Sequence, residues 1–403
     1  MRAGPSQEEI RRYNLGTLLR HVHLGGPTSR AELTSRMGLN RSTIMALTAD
    51  LAAAGLVREE LPRETGRAGR PSLVVRPESA RIFVLAFDVG VDRLVAARVG
   101  LGGVILDRRE AVRQRGPFDT GEVVATLAGF ARQMLRKALP DTVCVGAAAA
   151  FCGGVRKADG MVRFSPNMGD GLHDAPFGEE LARKLALGIP VAVGNDANLA
   201  ALAEHTRGVG IGCRDLVYLH GDVGIGGGII SGGQLLAGRD GYFGEVGHMV
   251  VNPGGRVCGC GARGCLEAEV GERTLLEGAG GAFAGKVGRE AVRAVVDAAD
   301  RGDVVAQDAL QRVGEWLGLG VANLVNIFNP EVVVFGGMLR DIYLGAAAQV
   351  RSRVNTVCLR ANRENLRLRT SALGDDATLV GAAELAFSQV LTDPLEVLAR
   401  VST

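Results

Sequence analysis

The chain has 403 residues, 47% of them apolar and 22% charged, with a formal net charge of +2. That composition is ordinary for a globular protein and long enough for two or three separately cored domains, while no apolar run reaches bilayer-spanning length. The N-terminus lacks an apolar signal core, and Cys144, Cys152, Cys213 and Cys358 are scattered singly, which excludes a disulfide framework and favours a cytoplasmic protein with no membrane partner.

Charge is uneven along the chain. Residues 1–80 carry twelve Arg and no Lys against eight acidic residues, a balance of +4. Leu15, Leu18, Leu19 and Val22 fall at helical spacing, predicting an amphipathic helix over about 6–23 that Gly25-Gly26-Pro27 ends. Ser29-Arg30-Ala31-Glu32 is a capping box opening a short second helix through Met37. Gly38-Leu39-Asn40 then turns the chain into a third helix over about 41–54 that buries Ile44, Leu47 and Leu51. Short helix, glycine turn and longer helix make a helix-turn-helix.

The N-terminal end of the third helix is the part that would enter a major groove. Asn40, Arg41, Ser42 and Thr43 are candidate contacts there, with Ser29 and Arg30 at the start of the second helix. Leu56-Val57 and Leu73-Val74-Val75 read as the two arms of a wing. Between them Arg67 and Arg70, flanked by Gly and Pro, are slim enough for a narrow minor groove; a flexible linker is the alternative use of this segment. The partner expected of residues 1–78 is a double-stranded DNA operator.

From Arg81 the pattern becomes α/β. A buried strand over 82–87 leads into Asp88-Val-Gly90-Val91-Asp92-Arg93, and further strands are expected at 94–99, 103–106 and 143–150, with a helix at 121–139. Val191–Val193 leads into Gly194-Asn195-Asp196-Ala-Asn198 and a helix through His205. Strand 216–219 then precedes a glycine loop, 221–228, and strand 229–230. Two halves that each open with a strand and a Gly/Asp loop imply a duplicated unit. A helix through Leu324, a strand at 331–335 and a helix from Ala377 to Leu391 complete the chain.

Between Glu245 and Glu267 lie His248, Cys258, Cys260 and Cys265 in a glycine-rich run. Three thiolates and an imidazole are the ligand set of a closed, structural tetrahedral Zn2+ site, with no position left for a catalytic water. A metal that only locks a loop, with carboxylates at its edges, shapes a pocket for something polar.

Several segments together resemble the ROK family (repressors, open reading frames, kinases), in particular its winged-helix repressors of sugar metabolism. They are Glu245-Val-Gly-His248, Cys258-Gly-Cys260-Gly-Ala-Arg-Gly-Cys265-Leu-Glu267, Gly194-Asn195-Asp196-Ala-Asn198, Ser165-Pro-Asn167, Gly224-Ile-Gly-Gly-Gly228 and Asn329-Pro-Glu-Val-Val-Val-Phe-Gly-Gly337. The resemblance implies a winged helix-turn-helix over 1–78 and a two-lobed, actin-like (hexokinase-like) α/β domain. Its lobes would be 79–198 and 199–376, the second holding zinc, with 377–403 packing back on the first. It further implies a sugar site of Asn167, Asn195, Asp196, Glu245, His248 and Glu267, with Asp196 at the position of the kinase base. Asn195 and Asp196 could instead simply cap the helix that follows.

Departures from the family pattern bear on chemistry. The kinases' phosphate loop resembles Asp-Ile-Gly-Gly-Thr-Lys, whereas Val91 here blocks close backbone approach and Asp92 would face phosphates with like charge. Val223 stands where kinases commonly carry Thr, and Phe151-Cys152-Gly153 and Met168 alter the surroundings of the sugar site. The expectation is a non-catalytic sensor: a homodimeric or homotetrameric regulator, a repressor by family default, answering to a sugar or sugar phosphate. The alternatives are an ATP-dependent sugar kinase carrying a DNA-binding domain, and a regulator answering to a protein partner.

Overall fold

The structure, a computed structural model, describes residues 4, 6–62, 72–169 and 172–401. Arg67 and Arg70 lie outside the described residues. The N-terminal module contains α1 (Gln7–Gly25), β1 (Thr28–Ser29), α2 (Arg30–Met37), α3 (Arg41–Ala53), β2 (Val57–Glu60) and β3 (Val74–Pro77). Each helix starts where a polar side chain can take up an orphan amide. Ser6 and Glu9 form a reciprocal capping box on α1, Ser29 accepts the Glu32 amide on α2, and Asn40 accepts the Thr43 amide on α3. Strands β1, β3 and β2 form a small antiparallel sheet, the base of the wing.

The first lobe follows with β4 (Ile82–Val89), β5 (Arg93–Gly100), β6 (Val104–Val112), α4 (Thr120–Arg136), β7 (Val143–Phe151), β8 (Gly154–Val155), β9 (Val162–Phe164), β10 (His173–Ala175), α5 (Phe177–Leu185) and β11 (Val191–Asn195). Helix α6 (Asp196–Arg207) leads to the second lobe, β12 (Leu216–Gly221), β13 (Ile225–Ser231), β14 (Gln234–Leu235), α7 (Leu266–Val270), α8 (Glu272–Ala279), α9 (Arg289–Asp300), α10 (Val304–Phe328), β15 (Val332–Gly337), α11 (Met338–Gly345), α12 (Ala347–Val357), α13 (Arg360–Arg363) and β16 (Arg367–Thr370). The chain ends with α14 (Ala377–Phe387) and α15 (Pro394–Val401).

The two lobes repeat one topology. The first sheet has the order β11-β7-β4-β5-β6 and the second β14-β13-β12-β15-β16. In each, three antiparallel strands form a meander and two more add in parallel beside its first strand. This is the duplicated actin-like architecture expected from the sequence. Every residue of β4 is buried, as befits a central strand covered on both faces. The glycine segment 221–228 is not one loop: only 222–224 turn, and Gly226–Gly228 are rungs of β13 paired to β12.

The expected terminal helix is two helices. α14 ends at Phe387, and after the turns at 388–392 Pro394 opens α15, where its missing N–H costs nothing in a first turn. Helix α14 packs back on β7 and β4 of the first lobe, and also against α6.

The winged module is not a bead on a tether. One continuous apolar cluster joins Leu18 and Val22 of α1 and Leu47 of α3 to Val84 and Ala97 of the first lobe and Phe387 of α14. A Cβ placed on Gly16 of α1 would come 2.6 Å from the Leu391 carbonyl oxygen and 3.0 Å from that of Thr392, so the helix backbone lies directly against the end of the chain. Residue 78, the expected boundary, lies between strands β3 and β4, and the apolar packing runs across it without a gap.

Candidate functional site

The described metal-type cluster comprises His248, Cys258, Cys260 and Cys265, whose donor atoms all lie within 4.8 Å of one another. A tetrahedral ion with Zn–S bonds of about 2.3 Å sets neighbouring sulfurs about 3.8 Å apart. The Cys260 and Cys265 Sγ atoms are 3.7 Å apart, and His248 Nδ1 is 3.6 Å from Cys258 Sγ. Donor set and spacing therefore fit a metal ion, and burial pushes the Cys258 and Cys265 thiols up, a tendency that a bound cation reverses. With Nδ1 turned to the sulfurs, His248 Nε2 faces Glu245, 4.0 Å from its carboxylate.

The sequence-selected residues beside this cluster come from several elements, and pairwise contacts link some of them. Asn167 lies on the 3-10 turn Pro166–Met168, Glu245 just before the turn Val246–His248, and Glu267 on α7. Asn167 and Glu267 converge on the β12–β13 turn: a Cβ on Gly224 would collide with both Asn167 Nδ2 and Glu267 Oε2. Glu267 Oε2 accepts the Ile225 amide at 2.8 Å, and its Oε1 lies 3.8 Å from Cys258 Sγ, so this carboxylate joins the glycine turn to the metal cluster.

Asn195 ends β11 and caps α6, accepting the Asn198 amide at 3.0 Å while its Nδ2 donates to the Gly153 carbonyl and to Asp196 Oδ1. The capping use of Asn195 is thus realised, and it orients Asp196 as well. Asp196 Oδ1 also accepts the Ala197 amide at 2.7 Å. Burial, reinforced by the charges of Asp88, Asp222 and Glu245, lifts Asp196 to about 7. A carboxyl poised near neutrality in a cleft can accept a hydrogen bond or a proton from a hydroxyl.

Ion pairs that the sequence did not disclose surround the segment Asp88–Arg93. Arg93 Nη2 reaches back 3.0 Å to Asp88 and donates at 3.1 Å to the Asp375 carbonyl; Thr378 of α14 donates to Asp88 at 2.9 Å. Asp92 is not a bare charge, because Arg115 Nη2 sits 3.0 Å away. The same guanidinium donates to both oxygens of Glu272 at 3.1 and 3.0 Å, bridging the first lobe to α8 of the second. Arg289 links Asp341, at 2.8 Å, with Asp375. Val91 is fully buried. Burial and the charge of Asp92 raise Asp222, on the β12–β13 turn, to about 6.

At its far end α6 meets the winged module. Arg207 Nε donates to Glu384 of α14 at 2.5 Å, and its Nη1 and Nη2 donate to the carbonyls of Gly102 and His23 at 3.0 and 3.3 Å. His23 of α1 is completely buried, accepting the Gly102 amide through Nδ1 at 2.9 Å, with Nε2 3.1 Å from Glu384. Burial lowers the basicity of His23, so it remains a neutral ring.

In the module itself, Arg41 and Ser42 are exposed at the start of α3 and Thr43 is half-buried. The Asn40 carboxamide oxygen is engaged, accepting from the Thr43 amide and the Ser42 hydroxyl, both at 2.8 Å. Arg30 is held by Glu59 of β2, its Nε donating at 2.5 Å and its Nη2 to the second oxygen, so a phosphate would have to compete with that carboxylate. Ser29 caps α2.

The comparisons with known proteins agree with this architecture. The chain is 30% identical over 381 residues to the xylose repressor of Caldicellulosiruptor bescii, covering 91% of this chain and 93% of that one. It is 36% identical over 244 residues to the glucokinase of Thermotoga maritima, covering 58% of this chain and 76% of the kinase. A crystal structure described as a ROK family transcriptional regulator, homolog of the E. coli MLC protein, superposes with a TM-score of 0.79 at 27% identity, covering 98% of this chain and 99% of that one. The ROK family model matches residues 84–389, and the chain belongs to the ROK family.

Proposed function

We propose that this chain is a sugar-responsive DNA-binding transcriptional regulator, acting as a repressor and using a non-catalytic kinase-type cleft as its sensor. The observation that carries the reading is α6: Asp196 stands in the polar cleft at one end, and Arg207 holds the winged module at the other. A ligand that moves the N-terminus of α6 also moves the seat of α1. Only differential binding to two such states can switch the protein. Asn167, Asn195, Asp196, Glu245, His248 and Glu267 would bind the hydroxyls of a sugar or sugar phosphate, since buried polar groups left unpaired penalise an ill-fitting ligand. Zinc held by His248, Cys258, Cys260 and Cys265 would be structural, fixing the loop that carries Glu245. Arg41, Ser42 and Thr43, together with Asn40, Ser29, Arg30, Arg67 and Arg70, would contact operator DNA in a homodimer or tetramer reading a pseudo-palindrome.

Fluorescence anisotropy of the full-length protein on labelled DNA from upstream of its own gene, challenged with xylose, glucose and their phosphates, tests the reading. Release or tightening by one sugar supports it, and DNA binding that no sugar disturbs removes the sensor.

A second reading, an ATP-dependent sugar kinase, is favoured by Asp196, whose carboxyl near 7 suits a general base. Against it stand Val91 and Asp92 in the segment that resembles the kinases' phosphate loop, where Arg93 pairs with Asp88 and Arg115 joins Asp92 to Glu272. Coupled ADP release with the same sugars decides between them: turnover abolished by Asp196→Asn would establish the kinase.

A further inference from the structure

A second charged feature lies outside both the cleft and the winged module. Between residues 351 and 369 the sequence carries six arginines, Arg351, Arg353, Arg360, Arg363, Arg367 and Arg369, against one acid, Glu364. That local excess of five positive charges exceeds the +2 of the whole chain. Helix α12, α13 and β16 fold this stretch around a cavity of 370 Å³, which Arg351, Arg363, Arg367 and Arg369 line together with the apolar side chains of Val354 and Leu368. β16 is the end strand of the second-lobe sheet, and none of the cleft residues lines this cavity.

The partners of these arginines set them apart. The cleft arginines Arg93, Arg115 and Arg289 each have a carboxylate within 3.0 Å. In the groove, Arg351 meets the Tyr343 hydroxyl at 3.4 Å, Arg363 the Asn355 carboxamide at 3.3 Å and Arg369 the Leu368 carbonyl at 3.4 Å. Arg367 donates to the Cys213 sulfur at 3.0 Å, and its carboxylate neighbour, Glu331, stands 3.9 Å away. Glu331 is shared: its Oε1 accepts the Arg214 and Asp215 amides at 2.6 and 3.3 Å, and its Oε2 is the oxygen that lies towards Arg367. The Nε of Arg363 is buried with no partner. Four guanidinium groups in one concavity, short of counter-charge and with an unmet buried donor, are complementary to a multiply charged oxyanion, which guanidinium forks bind in bidentate fashion.

We propose that this groove is a second ligand site, separate from the sugar cleft, that takes a phosphorylated small molecule. Arg363, Arg367 and Arg369 grip the phosphate, and the body of the ligand lies over Val354 and Leu368. A cavity of this size matches small-molecule sites, which span about 300 to 1,000 Å³, and favours a metabolite over a macromolecular surface. The proposal stands independently of the sugar and DNA readings.

Isothermal titration of the full-length protein with inorganic pyrophosphate, and separately with inorganic phosphate and glucose 6-phosphate, tests it. Saturable binding at one site per chain is expected, weakened by about tenfold or more in Arg363→Gln and in Arg369→Gln while thermal stability is unchanged. Tighter binding of glucose 6-phosphate than of phosphate that both variants weaken would mark a metabolite site, and equal binding a free-phosphate site. The proposal is overturned by absence of saturation up to about 10 mM, by equal affinity in both variants, or by a response confined to heparin or DNA that grows with polyanion length.

Discussion

Asp196 and Arg207 are the first and last residues of the same twelve-residue helix, α6. A helix of that length spans about 18 Å and moves as a rod. One end is set by the cleft and the other by the buried cluster of Arg207, Glu384 and His23. Replacing Arg207 with Lys keeps the charge and removes the fork that holds Gly102 and His23 together. In Arg207→Lys, sugar affinity measured by calorimetry is expected to stay within about threefold of the wild type, while sugar no longer changes DNA affinity. Intact sugar-dependent release in that variant would sink the lever.

The cleft predicts its own pH dependence. Burial raises Asp196 from its ordinary 3.8 to about 7, so across that interval the folded protein holds a proton that the unfolded chain has lost. The group therefore favours the fold most at low pH, and its contribution is lost progressively up to about 7. Ligand binding runs the opposite way, because sugar hydroxyls donate best to the ionised carboxylate. Sugar affinity is expected to rise between pH 6 and 8, by up to about tenfold, and the rise should vanish in Asp196→Asn. A pH-independent affinity in the wild type contradicts this role.

The metal cluster is expected to serve the sensor more than the reader. Cys260→Ser, or treatment with a strong chelator, should loosen the loop bearing Glu245 and His248 and weaken sugar binding about 10- to 100-fold, leaving sugar-free DNA binding close to normal. Elemental analysis of the purified protein checks the ion. Parallel loss of both activities would make the metal a general folding element instead.

Arg41 and Arg30 are expected to behave differently when truncated. Arg41 is exposed with no side-chain partner among the described residues, so Arg41→Ala should lower operator affinity by about 5- to 150-fold without changing the melting temperature. Arg30→Ala breaks the Glu59 pair that ties α2 to β2. Its first effect should be a lower melting temperature, read by calorimetry.

What the sequence disclosed follows from the distance between partners. His248 and Cys265 lie within one short segment, so their chemistry could be read off directly. The second helix of the winged module announces itself through Ser29, which caps an amide three residues away, whereas the caps at Ser6 and Asn40 emerge from the structure. Arg115, Asp92 and Glu272 join across as many as 180 residues, and His23, Arg207 and Glu384 across 361. An arginine reads as a surface residue until its partner is placed beside it. The shape of the terminal segment was missed for a local reason: its apolar periodicity continues to Leu391, whereas α14 ends at Phe387 and α15 begins only at Pro394. The small sheet of β8, β9 and β10 has strands of two or three residues, too short to carry a pattern.

The backbone contact between Gly16 and Leu391 ties α1 to the segment that follows α14. A stop codon just after Phe387 would leave every cleft and metal residue in place, yet it would strip the floor from under a helix encoded at the opposite end of the gene. Such a product should bind its sugar and lose its grip on DNA. By the same token, a winged module grafted from another regulator will not answer to this sensor unless the last residues of the chain are exchanged with it.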